Sequence, residues 1–236
     1  MGLRKRESKG LGLAERRPRR RPCRWSSVGC LLTTTDQRPT TSLGTTMRVI
    51  AGQYRSRPLR SLRGADIRPT ADRLRETLFN VLCKGDPEAL VGSAWLDLYA
   101  GTGAVGIEAL SRGAEMVYFV ESSKAAAELI AQNLRALGIA SGFRMVKSEA
   151  GKALRQLEAA DWAADFVFLD PPYRLREEYA RTFGALAGSK LLRATTVVIA
   201  EHEKRFDPGE TFGELRRYRK LEQGDAALSF YRRRIL

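Results

Sequence analysis

A chain of 236 residues can bury one good-sized core plus an appendage, and 43% hydrophobic against 29% charged residues is ordinary for a soluble globular protein. The net charge of +14 is not ordinary and points to a polyanionic partner, most simply nucleic acid. No apolar run approaches the ~18 residues of a membrane span. Cys23, Cys30 and Cys83 lack metal-ligand spacing, so a cytoplasmic protein with reduced thiols, no membrane and no metal is expected.

The charge is unevenly placed. Residues 1–46 hold 11 Lys/Arg against 3 Asp/Glu, and the remainder 30 against 24. This leader is rich in Arg, Pro, Gly, Ser and Thr, with a basic run at 16–24 and a polar tract at 33–46, and is expected to be unstructured. A flexible RNA-binding arm, an organelle transit peptide and translation from an upstream start codon all fit it. Met47 opens a patterned segment and favours the last.

Residues 47–63 read as two short strands around a turn near 55–58. Arg48, Arg55, Arg57, Arg60 and Arg63 stand there without an acid among them. A solvated hairpin edge tolerates such charges, but five arginines favour a phosphate-facing surface. The stretch I-R-P-T-A-D-R-L-R-E-T-L-F-N-V-L follows as a helix, with Thr70 as N-cap and Leu74, Leu78, Val81 and Leu82 as its apolar stripe. Arg68, Asp72, Arg73 and Glu76 suit an ion-pair network and a substrate-binding surface equally well.

Residues 95–106, W-L-D-L-Y-A-G-T-G-A-V-G, read as the end of a buried parallel strand, a glycine turn and the start of a helix. Gly101, Gly103 and Gly106 let the backbone turn tightly and approach a ligand. They also satisfy the dinucleotide fingerprint, with Glu121 twenty residues after Gly101, so a nicotinamide cofactor is a rival; a ligand-free glycine turn is the bland reading. Asp97 separates them. A buried carboxylate in the strand end needs a strong partner, which a cationic cofactor supplies and a pyrophosphate does not. S-adenosylmethionine carries a sulfonium and an ammonium and no phosphate.

Strands and helices then alternate: helix 104–112, strand M-V-Y-F-V, helix 123–137 closed by Gly138, strand Phe143–Val146, and a helix from Ser148-Glu149-Ala150. The strand D-F-V-F-L-D, helix 176–187, strand 195–200 and a hairpin of about 214–221 with 226–233 complete the chain. Glu121 ends the second strand, placed for the two hydroxyls of a ribose or, less specifically, for capping the next helix. The expected architecture is α/β, a mostly parallel Rossmann-like sheet with a C-terminal antiparallel hairpin. It divides into the leader 1–46, a substrate-side extension 47–83 and a main domain 90–236.

Asp170-Pro171-Pro172-Tyr173 ends the fourth strand. Two prolines hold the backbone extended and remove two N–H donors, leaving a carboxylate, outward carbonyls and an aromatic face. That set suits a planar base bearing an amino group: carboxylate and carbonyl accept its N–H bonds, and Tyr173 stacks on the ring. A plain proline turn would need neither the charge nor the ring.

D-x-x-x-G-x-G followed by D-P-P-Y resembles the class I S-adenosylmethionine-dependent amino-methyltransferases. Met47-Arg-Val-Ile-Ala-Gly, Arg68-Pro-Thr-x-Asp-Arg-x-Arg-Glu-x-Leu-Phe-Asn80, Leu96-Asp-Leu-Tyr-Ala-Gly-Thr-Gly, Glu108-Ala-Leu-Ser-Arg-Gly-Ala114 and Gly224-Asp-x-Ala-Leu-Ser-Phe-Tyr231 narrow this to a resemblance to the bacterial RsmD family. The match leaves out only the leader. It implies methylation of N2 of one guanine, the 966-type position, in 16S rRNA of the small subunit or its precursor. S-adenosyl-L-methionine is then the cofactor, with no metal, and a monomer is expected. By resemblance, Asp97, Gly101 and Gly103 hold the methionine part, with Tyr99 of the same stretch also a cofactor residue. Glu121 takes the ribose. Glu149 contacts the adenine amine, although Ser148-Glu149 stands where the family has Gly-Asp. Asp170, Pro171, Pro172 and Tyr173 hold the target base. Arg48, Arg55, Arg57, Arg60, Arg68, Thr70, Asp72 and Arg73 are the RNA side. With an ordinary carboxyl pKa near ~3.9, Asp170 is expected to position more than to act as base. A DNA adenine-N6 methyltransferase shares D-P-P-Y but usually adds a sequence-reading domain, and a non-catalytic RNA-binding protein would not need Asp97, Glu121 and Asp170.

Overall fold

The computed structural model describes residues 47–61 and 69–234. The leader, Arg63 and Arg68 lie outside the described residues, as does the side chain of Thr70. Among the described residues, five helices and eight strands alternate as far as β5, after which only strands follow: α1 Pro69–Leu82, β1 Ala94–Leu98, α2 Ala104–Ser111, β2 Met116–Val120, α3 Lys124–Leu137, β3 Phe143–Val146, α4 Ala150–Ala159, β4 Ala164–Leu169, α5 Glu177–Ala187, β5 Leu192–Glu203, β6 Thr211–Phe212, β7 Leu215–Gln223 and β8 Ala226–Arg233.

The strands form one sheet in the order β3-β2-β1-β4-β5-β8-β7-β6. Pairing is parallel from β3 to β5 and antiparallel from β5 to β6, so the expected architecture holds. Side chains of a strand alternate between faces, which sorts the core into two clusters. Trp95, Phe168, Val197 and Ile199 pack on one face with α1, through Leu74, Leu78 and Phe79. Leu96, Leu98, Val167, Leu169 and Val198 pack on the other with α4 and α5, through Leu154, Leu157, Phe183 and Leu186. Trp95 stacks between Phe79 (5.4 Å) and Phe166 (4.8 Å), tying α1 to the centre of the sheet.

Three sequence expectations need correction. Residues 47–61 form no strands; a single antiparallel bridge, Arg48 to Pro58, closes a turn-rich loop. The reason is that its amides are taken from elsewhere. The Glu108 carboxylate accepts from Ile50 N (2.7 Å) and Ala51 N (2.9 Å), and Ser111 O accepts from Gln53 N (2.7 Å). Gly52 (φ 81°) is obligatory at this approach, because a Cβ there would lie 1.9 Å from Ser111 O. Second, β5 runs beyond Ala200 to Glu203, which brings Glu201 into the sheet. Third, the short β6 at the sheet edge was not foreseen.

Candidate active site

The chain leaves β1 toward β2 on one side, while β4 flanks β1 on the other. Loops diverging at such a switch point open a crevice at the carboxyl ends of the strands. Tyr99 (φ 62°), Gly101 (φ 55°) and Gly103 (φ 76°) turn the backbone there through left-handed conformations. The glycines differ in purpose. A Cβ on Gly106 would lie 2.3 Å from the Phe119 ring, so Gly106 lets α2 pack on β2. A Cβ on Gly101 meets nothing closer than 3.8 Å, and Gly101 lines open space.

That space is a cavity of about 790 Å³ lined by Tyr99, Gly101, Glu121, Glu149, Asp170 and Tyr173, among others. Of the expected cofactor residues, Asp97 and Gly103 stand behind the lining: Asp97 is 2% exposed and accepts from Gly106 N (3.0 Å) at the start of α2. Its strong partner is therefore at least in part a backbone amide of the chain itself. Burial raises the Asp97 carboxyl to about 7; the Gly106 amide opposes the rise, and the charges of Asp170 and Glu121 add to it. Glu121 accepts from Gly101 N (2.9 Å) and Ser123 N (2.7 Å), while Ser123 rather than Glu121 caps α3. Tyr99 holds the opposite wall, its hydroxyl bonded to Glu178 (3.1 Å) and Thr182 (2.7 Å). Glu149 is largely exposed at the start of α4, in a 3.4 Å ion pair with Lys152.

These bonds bear on the dinucleotide rival. A pyrophosphate sits on free amides of the glycine turn. Here the amides of Gly101 and Gly106 already serve carboxylates, and the acids Asp97, Glu121 and Asp170 surround the turn. The donor set repels an anion and accepts a cation with a diol.

Asp170 follows β4 and Glu201 lies in β5, each one residue beyond the Leu169–Ala200 pair. Burial raises both carboxyls, and the Asp170 charge adds to the rise in Glu201. The expectation of an ordinary pKa at Asp170 is thereby corrected: removal from water makes it a better base than a surface aspartate. Arg75 offsets part of the rise in Glu201, and Tyr173 shares a side-chain hydrogen bond with it. Arg75 is 6% exposed; its guanidinium reaches Asp72 (3.0 Å) and the Arg48 carbonyl (2.5 Å). The buried cation of α1 that faces the carboxylates is thus Arg75, whereas Arg73 is exposed.

Arg48, Arg55, Arg57 and Arg60 are all exposed on the 47–61 loop. Arg57 caps the carbonyl end of α3 at Ala136 O (3.0 Å), and Arg60 reaches Gln132 (3.3 Å). Sequence reasoning missed Glu201 and Arg75 as site residues, and Lys152, Arg155, Glu178 and Arg181 on the cavity wall. A charge directly after the apolar run V-V-I-A was the available signal for Glu201.

A twisted sheet of this order, with its cleft at the β1/β4 switch point, is the class I methyltransferase fold. The putative methyltransferase yhhF from Escherichia coli matches it with TM-score 0.66 and 30% identity, covering 81% of this chain and 99% of that one. Residues 47–232 match the family described as Conserved hypothetical protein 95. The putative rRNA methyltransferase YlbH of Bacillus subtilis is 31% identical over 188 residues, 80% of this chain and 100% of its own. Ribosomal RNA small subunit methyltransferase D of Escherichia coli K12 is 36% identical over 157 residues, 66% of this chain and 75% of its own. The chain belongs to this family, the RsmD family.

Proposed function

We propose that the chain is an S-adenosylmethionine-dependent methyltransferase acting on rRNA, and that its target is the exocyclic N2 of a specific guanine, the 966-type position, in 16S rRNA of the small ribosomal subunit or its precursor. It works in the cytoplasm, as a monomer. The observation that carries this reading is the half-buried carboxylate Asp170, on a rigid Pro-Pro turn, facing the same cavity as the glycine turn and Glu121. The names of the relatives support the rRNA substrate.

The donor set fits the cofactor. Glu121 keeps acceptor capacity for a ribose diol, Asp97 lies behind Gly101 as a carboxyl that a nearby cation favours in its ionised form, and Tyr99 holds the wall. Bound S-adenosylmethionine supplies an electrophilic methyl group. The chain's own residues do the rest by positioning, worth as much as ~7–11 kcal/mol in favourable cases. The Asp170 carboxylate and the Pro171 carbonyl accept the two N–H bonds of the target amine and direct its lone pair. Asp170 then takes the proton that the nitrogen loses, a role its raised pKa favours. Tyr173, anchored by its hydrogen bond to Glu201, holds the plane of the splayed base. Guanine also presents N1–H and O6, which need an acceptor and a donor; Glu201 and Arg75 supply that pair.

Small-subunit particles or their precursors, incubated with labelled donor and digested to nucleosides, test this by mass spectrometry. N2-methylguanosine is the expected product. N6-methyladenine, or efficient labelling of duplex DNA, overturns the assignment in favour of a DNA adenine-N6 enzyme, and donor binding without turnover on any substrate favours a non-catalytic RNA-binding protein.

A further inference from the structure

The hairpin of β7 and β8 carries a basic surface that the active site does not use. In β7 the register slips between Arg217 and Arg219, so that Tyr218 is the extra residue of a bulge. Tyr218 is 48% exposed, one of the few large apolar side chains left in solvent among the described residues. The Arg232 guanidinium lies 4.8 Å over its ring, and Phe230 supports it from the strand beside it at 6.2 Å. Arg216 pairs in register with Arg232, and Arg219 with Phe230, so these arginines share a face with the tyrosine.

Like charges directly opposite across a sheet are destabilising, and here acids stand close by. Arg217 takes Asp207 (2.7 Å) and Glu210 (3.4 Å), and Arg233 takes Glu214 (3.6 Å). Among the described residues no ion pair is formed by Arg216, Arg219 or Arg232. Protection of a sheet edge from aggregation explains charges at the end of a sheet. It does not explain an aromatic ring raised on a bulge among three uncompensated arginines. The patch also lies on the α1 side of the sheet: Phe230 belongs to the α1 face of the core, and Thr77 of α1 bonds Gln223 at the end of β7 (2.8 Å).

We infer that this hairpin is a second RNA-binding surface, on which an unpaired base stacks against the Tyr218–Arg232 pair while Arg216, Arg219 and Arg232 take the flanking phosphates. The inference rests on the proposed RNA substrate and extends it from the cleft to single-stranded RNA outside it. An aromatic platform among cations is the general means of holding unpaired nucleotides without reading their sequence.

Equilibrium binding of the full chain to small-subunit rRNA and to an unstructured oligouridylate, across a salt series, tests it. Tyr218→Ala should weaken both by about 5- to 100-fold, the range of base–aromatic stacking, with Tyr218→Phe close to wild type. Joint replacement of Arg216, Arg219 and Arg232 by Ala should reduce the salt slope on the oligouridylate by about 2, from ~0.7 per phosphate contact. Binding of S-adenosylmethionine and the melting temperature serve as folding controls and should not change. Wild-type affinity and slope in these variants overturn the inference. If wild type binds oligouridylate through the patch yet neither binds nor methylates small-subunit rRNA, the surface stands and the proposed substrate falls.

Discussion

Asp170 and Glu201 stand at the same level of neighbouring parallel strands, one residue beyond the Leu169–Ala200 pair, so two half-buried carboxyls face one another across β4 and β5. Such a pair holds a proton more tightly than either acid alone. If Asp170 accepts the proton of the target amine, single-turnover rates must rise with pH as the pair ionises. Glu201→Gln removes a negative charge beside Asp170, so the acidic limb should move to lower pH while the variant stays active. Asp170→Asn should abolish turnover and leave donor binding nearly intact. An acidic limb unmoved in Glu201→Gln would show that the two carboxyls do not titrate together.

Why this pair escaped the sequence is a matter of range. The glycine turn and D-P-P-Y are local signals, each complete within a dozen residues, and both fell where expected. Glu201 acquires its meaning only from the β4/β5 register, thirty-one residues from Asp170. Arg75 stands in the sequence among several charges of α1, and only the docking of α1 on the sheet buries it. The 47–61 loop misled for the opposite reason. It reads as two short strands around a turn, but a distant carboxylate, Glu108, captures amides that a ladder would have used.

Asp97 gives a pH dependence of a different kind. Burial raises its carboxyl from 3.8 to about 7, so the free fold favours the protonated form. The stability this group contributes is full below 3.8 and is lost as pH climbs through about 7. A cationic donor favours the carboxylate instead. Donor affinity should therefore increase with pH up to about 7 and level off above it, with proton release on binding at pH 6. Asp97→Asn should bind donor at least ~10-fold more weakly, about 1.4 kcal/mol, and lose the pH dependence. Calorimetry in buffers of different ionisation enthalpy reads both; pH-independent affinity in wild type would remove Asp97 from the donor site.

The four arginines of the 47–61 loop should not behave alike. Arg48→Ala and Arg55→Ala are expected to weaken RNA binding and flatten its salt dependence, with no change in melting temperature. Arg57→Ala also removes a cation from the carbonyl end of α3 and should cost about 0.3–1 kcal/mol of stability. Thermal melts beside salt titrations separate the two roles, and an unaltered salt slope in Arg48→Ala/Arg55→Ala would show that the phosphates run elsewhere.

Rich in Arg, Pro, Gly, Ser and Thr and without apolar periodicity, the leader is expected to bear on neither site. A chain starting at Met47 should keep the melting temperature and turnover of the full chain. A large fall in either would assign residues 1–46 a part in the fold or in RNA capture.

Glu108 is the residue that ties the 47–61 loop to α2. It is 0% exposed, its carboxylate accepts from Ile50 N and Ala51 N, and its ion pair with Arg112 measures 2.8 Å. Removing it would leave two amides and a guanidinium without their acceptor, a loss of about 3–5 kcal/mol for a broken buried pair. For a domain of this size that lowers Tm by about 6–20 °C. Glu108→Gln keeps one acceptor oxygen and should fall between. The damage should also be local. With the Glu108 anchor gone, only the Ser111 bonds hold the 47–61 loop on α2, so proteolysis near Gly52 and weakened RNA binding should appear at temperatures where donor binding, built on β1, β2 and β4, is still intact. Differential scanning calorimetry, limited proteolysis and donor titration on Glu108→Ala and Glu108→Gln check this sequence of losses. Simultaneous loss of RNA and donor binding at every temperature would mean that Glu108 supports the whole core and not the loop in particular.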